Sequence, residues 1–261
     1  MTWIDEPEEA VLHPQRRLTC RVTELAPLTH DITRLRLAIE AGGPFVFSAG
    51  QYAALRFAAL PPRDYSMANR PDEALLEFHV RRMGAGSTSA YVTETLRPGD
   101  RVIVEGPFGA CYLRDRHNGP ILALAGGSGL APIKSIVETA LARGRRQPVH
   151  LYYGARDERD IYLEDHFHAL AAEHPNLHYT PVLSEPISPS CRRSGLVHEA
   201  LAADLADFAG AKAYLAGPPA MVEAATALLR ERGLPRHDIH GDAFYSDAEK
   251  RALDAAARST S

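Results

Sequence analysis

The chain has 261 residues, 45% of them hydrophobic and 24% charged, with 29 Lys and Arg against 33 Asp and Glu for a net charge of −4. That length carries one large domain or, more comfortably, two, and the faintly acidic balance excludes a general nucleic-acid binder. The longest nearly apolar stretch, residues 120–133, is broken by Gly126, Gly127, Gly129 and Pro132 and is too short to span a bilayer as a helix. The opening MTWIDEPEEAVLH is acidic and shows no secretory signal. Cys20, Cys111 and Cys191 form no CxxC pair, and three thiols cannot supply the four ligands of an iron–sulfur cluster. The expectation is a soluble, cytoplasmic, monomeric protein without membrane insertion.

In chain order, residues 1–17 read as a linker-like tail. Short strand-like runs follow, starting at Leu18, Ile32, Gln51, Leu75 and Arg101. Several alternate apolar and polar residues, as in Ile32-Thr33-Arg34-Leu35-Arg36-Leu37, so every second side chain lies on one face. Gly42-Gly43-Pro44, Pro61-Pro62 and Pro98-Gly99-Asp100 punctuate them. Six or so antiparallel strands at that spacing predict a small barrel over residues 18–115.

From residue 116 to 245 the rhythm becomes strand, glycine turn, helix. Strands are expected at 121–125, 149–153, 178–183, 213–216 and 239–244. Helices are expected at 132–143, 163–173, 197–205 and 220–233. Such alternation predicts a doubly wound, five-stranded parallel sheet with helices on both faces. Residues 246–261 read as a marginal Ala-rich terminal helix.

The clearest chemical motif is Gly126-Gly127-Ser128-Gly129-Leu130-Ala131-Pro132, set between the first apolar strand and its helix. Glycines admit close approach of a phosphate, and a helix N-terminus offers unsatisfied N–H groups and positive dipole. Neither a P-loop nor a Rossmann GxGxxG fits. Ile133 occupies a position where the first needs glycine, and Pro132 the last glycine of the second. A second motif is Arg63-Asp64-Tyr65-Ser66-Met67-Ala68-Asn69, preceded by Gly50-Gln51-Tyr52. A guanidinium suits a pyrophosphate, an aromatic ring a flat heterocycle, and a hydroxyl a ring nitrogen. The third is Phe78-His79-Val80-Arg81, followed by Gly84-Ala85-Gly86-Ser87-Thr88-Ser89 at a helix start.

The order GQY, RDYS, HVRR, GSTS, GPFG, GGSGLAP, YGAR, AGPPAM and DAFY resembles the ferredoxin–NAD(P)H reductase superfamily, especially the FAD-containing reductases of bacterial aromatic-ring dioxygenases. The resemblance implies FAD in the barrel. Arg63 would hold its pyrophosphate, Tyr65 would lie against the isoalloxazine beside Tyr52, and Ser66 would hydrogen-bond near flavin N5. His79, Val80 and Arg81 would line the FMN and ADP portion, and Gly86, Ser87 and Ser89 its pyrophosphate. Gly127, Ser128 and Gly129 would cradle the nicotinamide dinucleotide, with Gly217, Pro218 and Pro219 near the nicotinamide. Phe244 falls where relatives place an aromatic close to the flavin, so the implied catalytic set is Ser66, Tyr65 and Phe244. Many relatives carry Cys where Ala216 stands, and the iron–sulfur domain of the nearest relatives has no counterpart among these residues.

Electrons would pass from NADH through FAD, one at a time, to a separate [2Fe–2S] ferredoxin or oxygenase component. Glu185, ending the third parallel strand, would favour NADH over NADPH, with Arg156 softening the preference. Two other classes remain open: an NAD(P)H:flavin oxidoreductase with diffusing flavin, and a non-catalytic dinucleotide-sensing subunit. Bland readings cover the rest. His166, His168, His174 and His178 invite a zinc reading, but the first pair, at i and i+2 on a helix, point apart, so a solvated face with no metal is expected. Cys20 and Cys111 read as buried fillers, and Arg143-Gly144-Arg145-Arg146 as a helix C-terminus.

Overall fold

The alternating runs of the first half become strands with their apolar side chains turned inward. In the computed structural model, which describes residues 11–188, 190–245 and 249, they are β1 (Arg16–Pro27), β2 (Ile32–Ala41), β3 (Tyr52–Phe57), β4 (Arg63–Ser66), β5 (Leu76–Arg81) and β6 (Arg101–Phe108). They pair antiparallel in the order β4-β3-β6-β1-β2-β5. A bridge between Met67 and Phe78 brings the two end strands together and nearly closes a barrel. Leu18, Val22, Leu35, Leu37, Leu55, Phe57, Phe78, Val80 and Val104 fill it, with Cys20 buried among them as expected. The strand not resolved as a separate run in the sequence is β4, the RDYS segment itself.

Helix α1 (Thr88–Glu94) follows β5, and the Ser87 hydroxyl caps it by accepting from the Ala90 amide. Strand β1 starts at Arg16, two residues earlier than its pattern indicates, because it continues pairing with β6 as far as Gly106. The preceding residues lie against the protein: the Val11 amide donates to the Tyr112 hydroxyl, and His13 meets Ser48 at 2.9 Å.

The second half alternates as the pattern predicts. Its elements are β7 (Ile121–Gly126), α2 (Leu130–Ala142), β8 (Val149–Ala155), α3 (Glu164–Glu173), β9 (Leu177–Leu183), β10 (Arg193–Ser194), α4 (Val197–Asp204), β11 (Lys212–Gly217), α5 (Pro219–Glu231) and β12 (Ile239–Ala243). The sheet has six strands, β10-β9-β8-β7-β11-β12, all parallel, rather than the five expected. The addition is β10, two residues that pair with Val182 and Leu183 at the edge. Two residues carry no periodicity, so no sequence pattern marks them. Every residue of β7 is buried, as a central parallel strand with helices on both faces requires. One core lies under α2 and α3 and a second under α4 and α5. The expected terminal helix at 246–261 falls outside the described residues except for Glu249. Among the described residues, no helix is long and apolar enough to cross a membrane.

Candidate functional site: two cofactor cradles on one interface

Barrel closure juxtaposes motifs that are distant in sequence. Strand β4 carries Arg63, Tyr65 and Ser66, and β5 leads into α1 with Gly86, Ser87 and Ser89. Ser66 is buried and stands opposite Tyr52 in the β3–β4 ladder, while the Tyr52 ring lies 5.7 Å from that of Phe108. Tyr65 packs edge-on against Phe57, and burial pushes its phenol up to about 12. The loop before α1 is held by its own hydroxyls. Ser89 Oγ accepts from the Met83 amide at 2.9 Å and lies 3.0 Å from Ser87 Oγ. A Cβ placed on Gly84 or Gly86 would meet nothing within 4 Å. Open space therefore adjoins a helix start whose first amides seek an acceptor, which suits the pyrophosphate of the implied flavin.

The second cradle sits at the topological switch point. From β7 the chain builds outward through β8, β9 and β10 on one side and through β11 and β12 on the other. Ligands of open parallel sheets bind in the crevice beyond such a reversal. Here residues 127–129 make one 3₁₀ turn into α2, with Gly127 at φ +54°. A Cβ on Gly129 would overlap the Ala216 carbonyl oxygen, so only glycine lets this turn lie against the end of β11. The Phe244 amide donates to the Gly217 carbonyl at 2.9 Å, which seats Phe244 beside the Gly217-Pro218-Pro219 turn. A cleft of about 260 Å³ opens there, lined by Gly126, Gly127, Pro218, Met221, Gly154, Ser184, Leu196 and Val197, and by Arg81 and Asp31 from the barrel. Arg156 also lines it, and the Glu185 amide donates to the Arg156 carbonyl at 2.7 Å.

In β5, Phe78 and Val80 enter the barrel core, whereas Glu77, His79 and Arg81 turn toward the second domain. The His79 side chain is 0% exposed, its ring held between Glu77 and the Tyr162 hydroxyl. Arg81 pairs with Asp31 at 2.9 Å and lines the cleft beside Gly126 and Gly127. Other interface residues went unread. Lys134 donates to the Ala68 carbonyl at 3.1 Å and Ser135 to the Asn69 carbonyl at 2.7 Å, locking the first turns of α2 onto the segment that follows Ser66. The only sequence signal was charge recurring at every second position of β5, which also describes a strand facing water.

His166 and His168 are both exposed on α3, on a solvated face, where His166 meets Glu138 at 2.6 Å. His30, Asp31 and Asp160 gather their ligand atoms within 4.8 Å, a spacing open to a cation. Arg81 and Arg156 already neutralise those carboxylates, at 2.9 and 2.8 Å, so a cation would enter against two guanidinium charges.

Two family models match the chain. Residues 19–112 match the oxidoreductase FAD-binding domain and residues 123–227 the oxidoreductase NAD-binding domain. The reductase component of a Ralstonia naphthalene 1,2-dioxygenase/salicylate 5-hydroxylase system is 46% identical over 242 residues, covering 93% of this chain and 73% of that protein. The chain belongs to the ferredoxin–NAD(P)H reductase superfamily. This reductase is an oxidoreductase that uses FAD and a nicotinamide dinucleotide. The corresponding Pseudomonas putida naphthalene dioxygenase component is 42% identical over 243 residues, with the same coverage of 93% and 73%. Among solved structures, an Amycolatopsis cytochrome P450 reductase superposes with a TM-score of 0.82 at 37% identity, covering 90% of this chain and 71% of that one. The ferredoxin reductase of carbazole 1,9a-dioxygenase gives 0.80 at 29% identity, covering 89% and 70%.

Proposed function

We propose that this reductase takes hydride from NADH and passes the electrons singly to an iron–sulfur protein, a [2Fe–2S] ferredoxin or an oxygenase component. The observation that carries the reading is the shared wall of the two cradles: β5 leads into the α1 loop at one end, and its Arg81 lines the dinucleotide cleft. When bound, FAD supplies a two-electron hydride acceptor that can release electrons one at a time. The protein's task is to hold donor and acceptor together and keep water away. Arg63 and the amides around Gly86, Ser87 and Ser89 would hold the FAD pyrophosphate, and Tyr65 with Tyr52 and Ser66 the ring system. Residues 127–129 would orient the dinucleotide phosphates, with Phe244 and residues 217–219 closing over the nicotinamide end. On this reading the unit works in the cytoplasm, because NADH is drawn from the cytoplasmic pool, and it acts as a monomer.

A steady-state assay of the purified chain tests it. NADH should drive rapid ferricyanide reduction, and cytochrome c should be reduced only once a [2Fe–2S] ferredoxin is added. Equal cytochrome c rates with and without ferredoxin would refute the acceptor assignment, and colourless protein needing free flavin would favour the diffusible-flavin reading.

Coenzyme choice follows from the cleft rim. Arg156 is held by Asp160 at 2.8 Å and lies 3.8 Å from Asp31, so its charge is already shared when a 2′-phosphate arrives. Glu185, next to it, repels that phosphate. We expect kcat/KM to be higher with NADH than NADPH. Glu185→Ser should raise the NADPH value roughly 3- to 10-fold, the effect of removing one exposed repulsion of about 1 kcal/mol. A wild-type preference for NADPH would contradict this.

A further inference from the structure

Three side chains leave β5 toward the second domain, and each meets a different part of it. Glu77 reaches Lys134 at 3.5 Å, and His79 reaches the Tyr162 hydroxyl at 3.1 Å. Arg81 comes within 3.4 Å of where a Cβ on Gly127 would stand. The Tyr162 hydroxyl also lies 3.4 Å from the Gly127 carbonyl oxygen. We infer that Tyr162 is a positioning residue, whose hydroxyl holds the 126–129 loop at a fixed height over β5 by donating jointly to His79 Nδ1 and the Gly127 carbonyl.

The proton count supports this direction. Glu77 is ionised and accepts from Arg36 at 2.8 Å, so its other oxygen accepts from His79 Nε2 at 3.1 Å. Burial keeps the His79 ring neutral, which leaves Nδ1 as an acceptor. Tyr162 must then be the donor, and its burial holds the phenol proton far above its ordinary range. The ring itself is fixed, edge-on to His79 at 5.3 Å and to Tyr153 at 5.6 Å. Because a trans peptide is planar, tethering the Gly127 carbonyl also sets the Ser128 N–H, which points the opposite way. That amide belongs to the turn read above as the dinucleotide cradle, and the inference rests on that reading.

Tyr162→Phe tests it by removing the hydroxyl and keeping the ring. Tyr152→Phe is the control, since its hydroxyl bonds Asp204 at 2.9 Å, away from the loop. Loss of one neutral hydrogen bond predicts roughly 3- to 10-fold faster amide exchange at residues 126–128 and a similar weakening of ADP-ribose binding. FAD content should not change. The control should match wild type in all three. His79→Gln, whose amide can donate to Glu77 and accept from Tyr162, should stay near wild type and serves if Tyr162→Phe does not fold. The inference is overturned if Tyr162→Phe exchanges and binds as wild type does, if the control shifts equally, or if His79→Gln loses the loop's protection. Failure of the cradle reading shows separately: ADP-ribose would then leave the wild-type amides of residues 126–128 unprotected.

Discussion

Arg63→Ala is expected to emerge from purification pale. The side chain starts β4, at the edge of the barrel that Met67 and Phe78 bring against β5 and the α1 loop. On the proposed reading, a guanidinium there would complete an anion site whose other donors are backbone amides, which cannot supply a full charge. Losing a charge-assisted hydrogen bond costs roughly 1.5–3 kcal/mol, or about 10- to 100-fold in FAD affinity. The ratio of flavin to protein absorbance after gel filtration reads this directly, and titration with FAD should recover the colour at higher concentration. Full occupancy in the variant would remove Arg63 from the pyrophosphate site. The barrel fold should be unaffected, because Arg63 is exposed and contributes nothing to the core.

Much of this architecture could be read locally, and the exceptions share a cause. Strand β2 shows its alternation openly, with Leu35 and Leu37 inward and Arg34 and Arg36 outward. The turn at 126–129 declares itself by its place between an apolar strand and a helix. Strand β4 spans four residues and has only Ser66 buried, so it is visible as chemistry before it is visible as a strand. Strand β10 exists only because its chain passes β9. The interface is the hardest part to read. Glu77, His79 and Arg81 alternate as a water-facing strand would, and what covers them from the second domain comes much later in the chain, at Gly127, in α2 and around Tyr162. Asn69 and Ser135, or Ala68 and Lys134, are 66 residues apart. No periodicity records a contact of that range, although each partner is an ordinary polar residue in its own element.

Glu77 should be the costliest single charge to remove. It is 3% exposed and lies among Arg36 at 2.8 Å, His79 at 3.1 Å and Lys134 at 3.5 Å. Burial alone would raise its carboxyl from the ordinary value of 4.5, but the His79 hydrogen bond and the Lys134 and Arg36 charges outweigh it and hold the group well below that range. A carboxylate depressed in the folded state stabilises the protein above its unfolded value and loses that contribution as pH falls. Glu77→Gln leaves the cations of the site under-compensated, and breaking a buried pair costs about 3–5 kcal/mol. The lower end applies, since Lys134 keeps Glu138 at 3.1 Å and Arg36 keeps Glu24 at 3.2 Å. At pH 7 the variant should melt roughly 8 °C below wild type, taking about 2–4 °C per kcal/mol for a chain of this size. Below pH 4.5 the gap should narrow by about 1.4 kcal/mol per pH unit, as the unfolded wild-type chain takes up the proton that the variant no longer binds. Paired melts across pH 3.5–8 decide the matter. A gap that stays constant with pH would mean that Glu77 acts through packing, and the charge cluster joining the barrel to α2 would lose its energetic role.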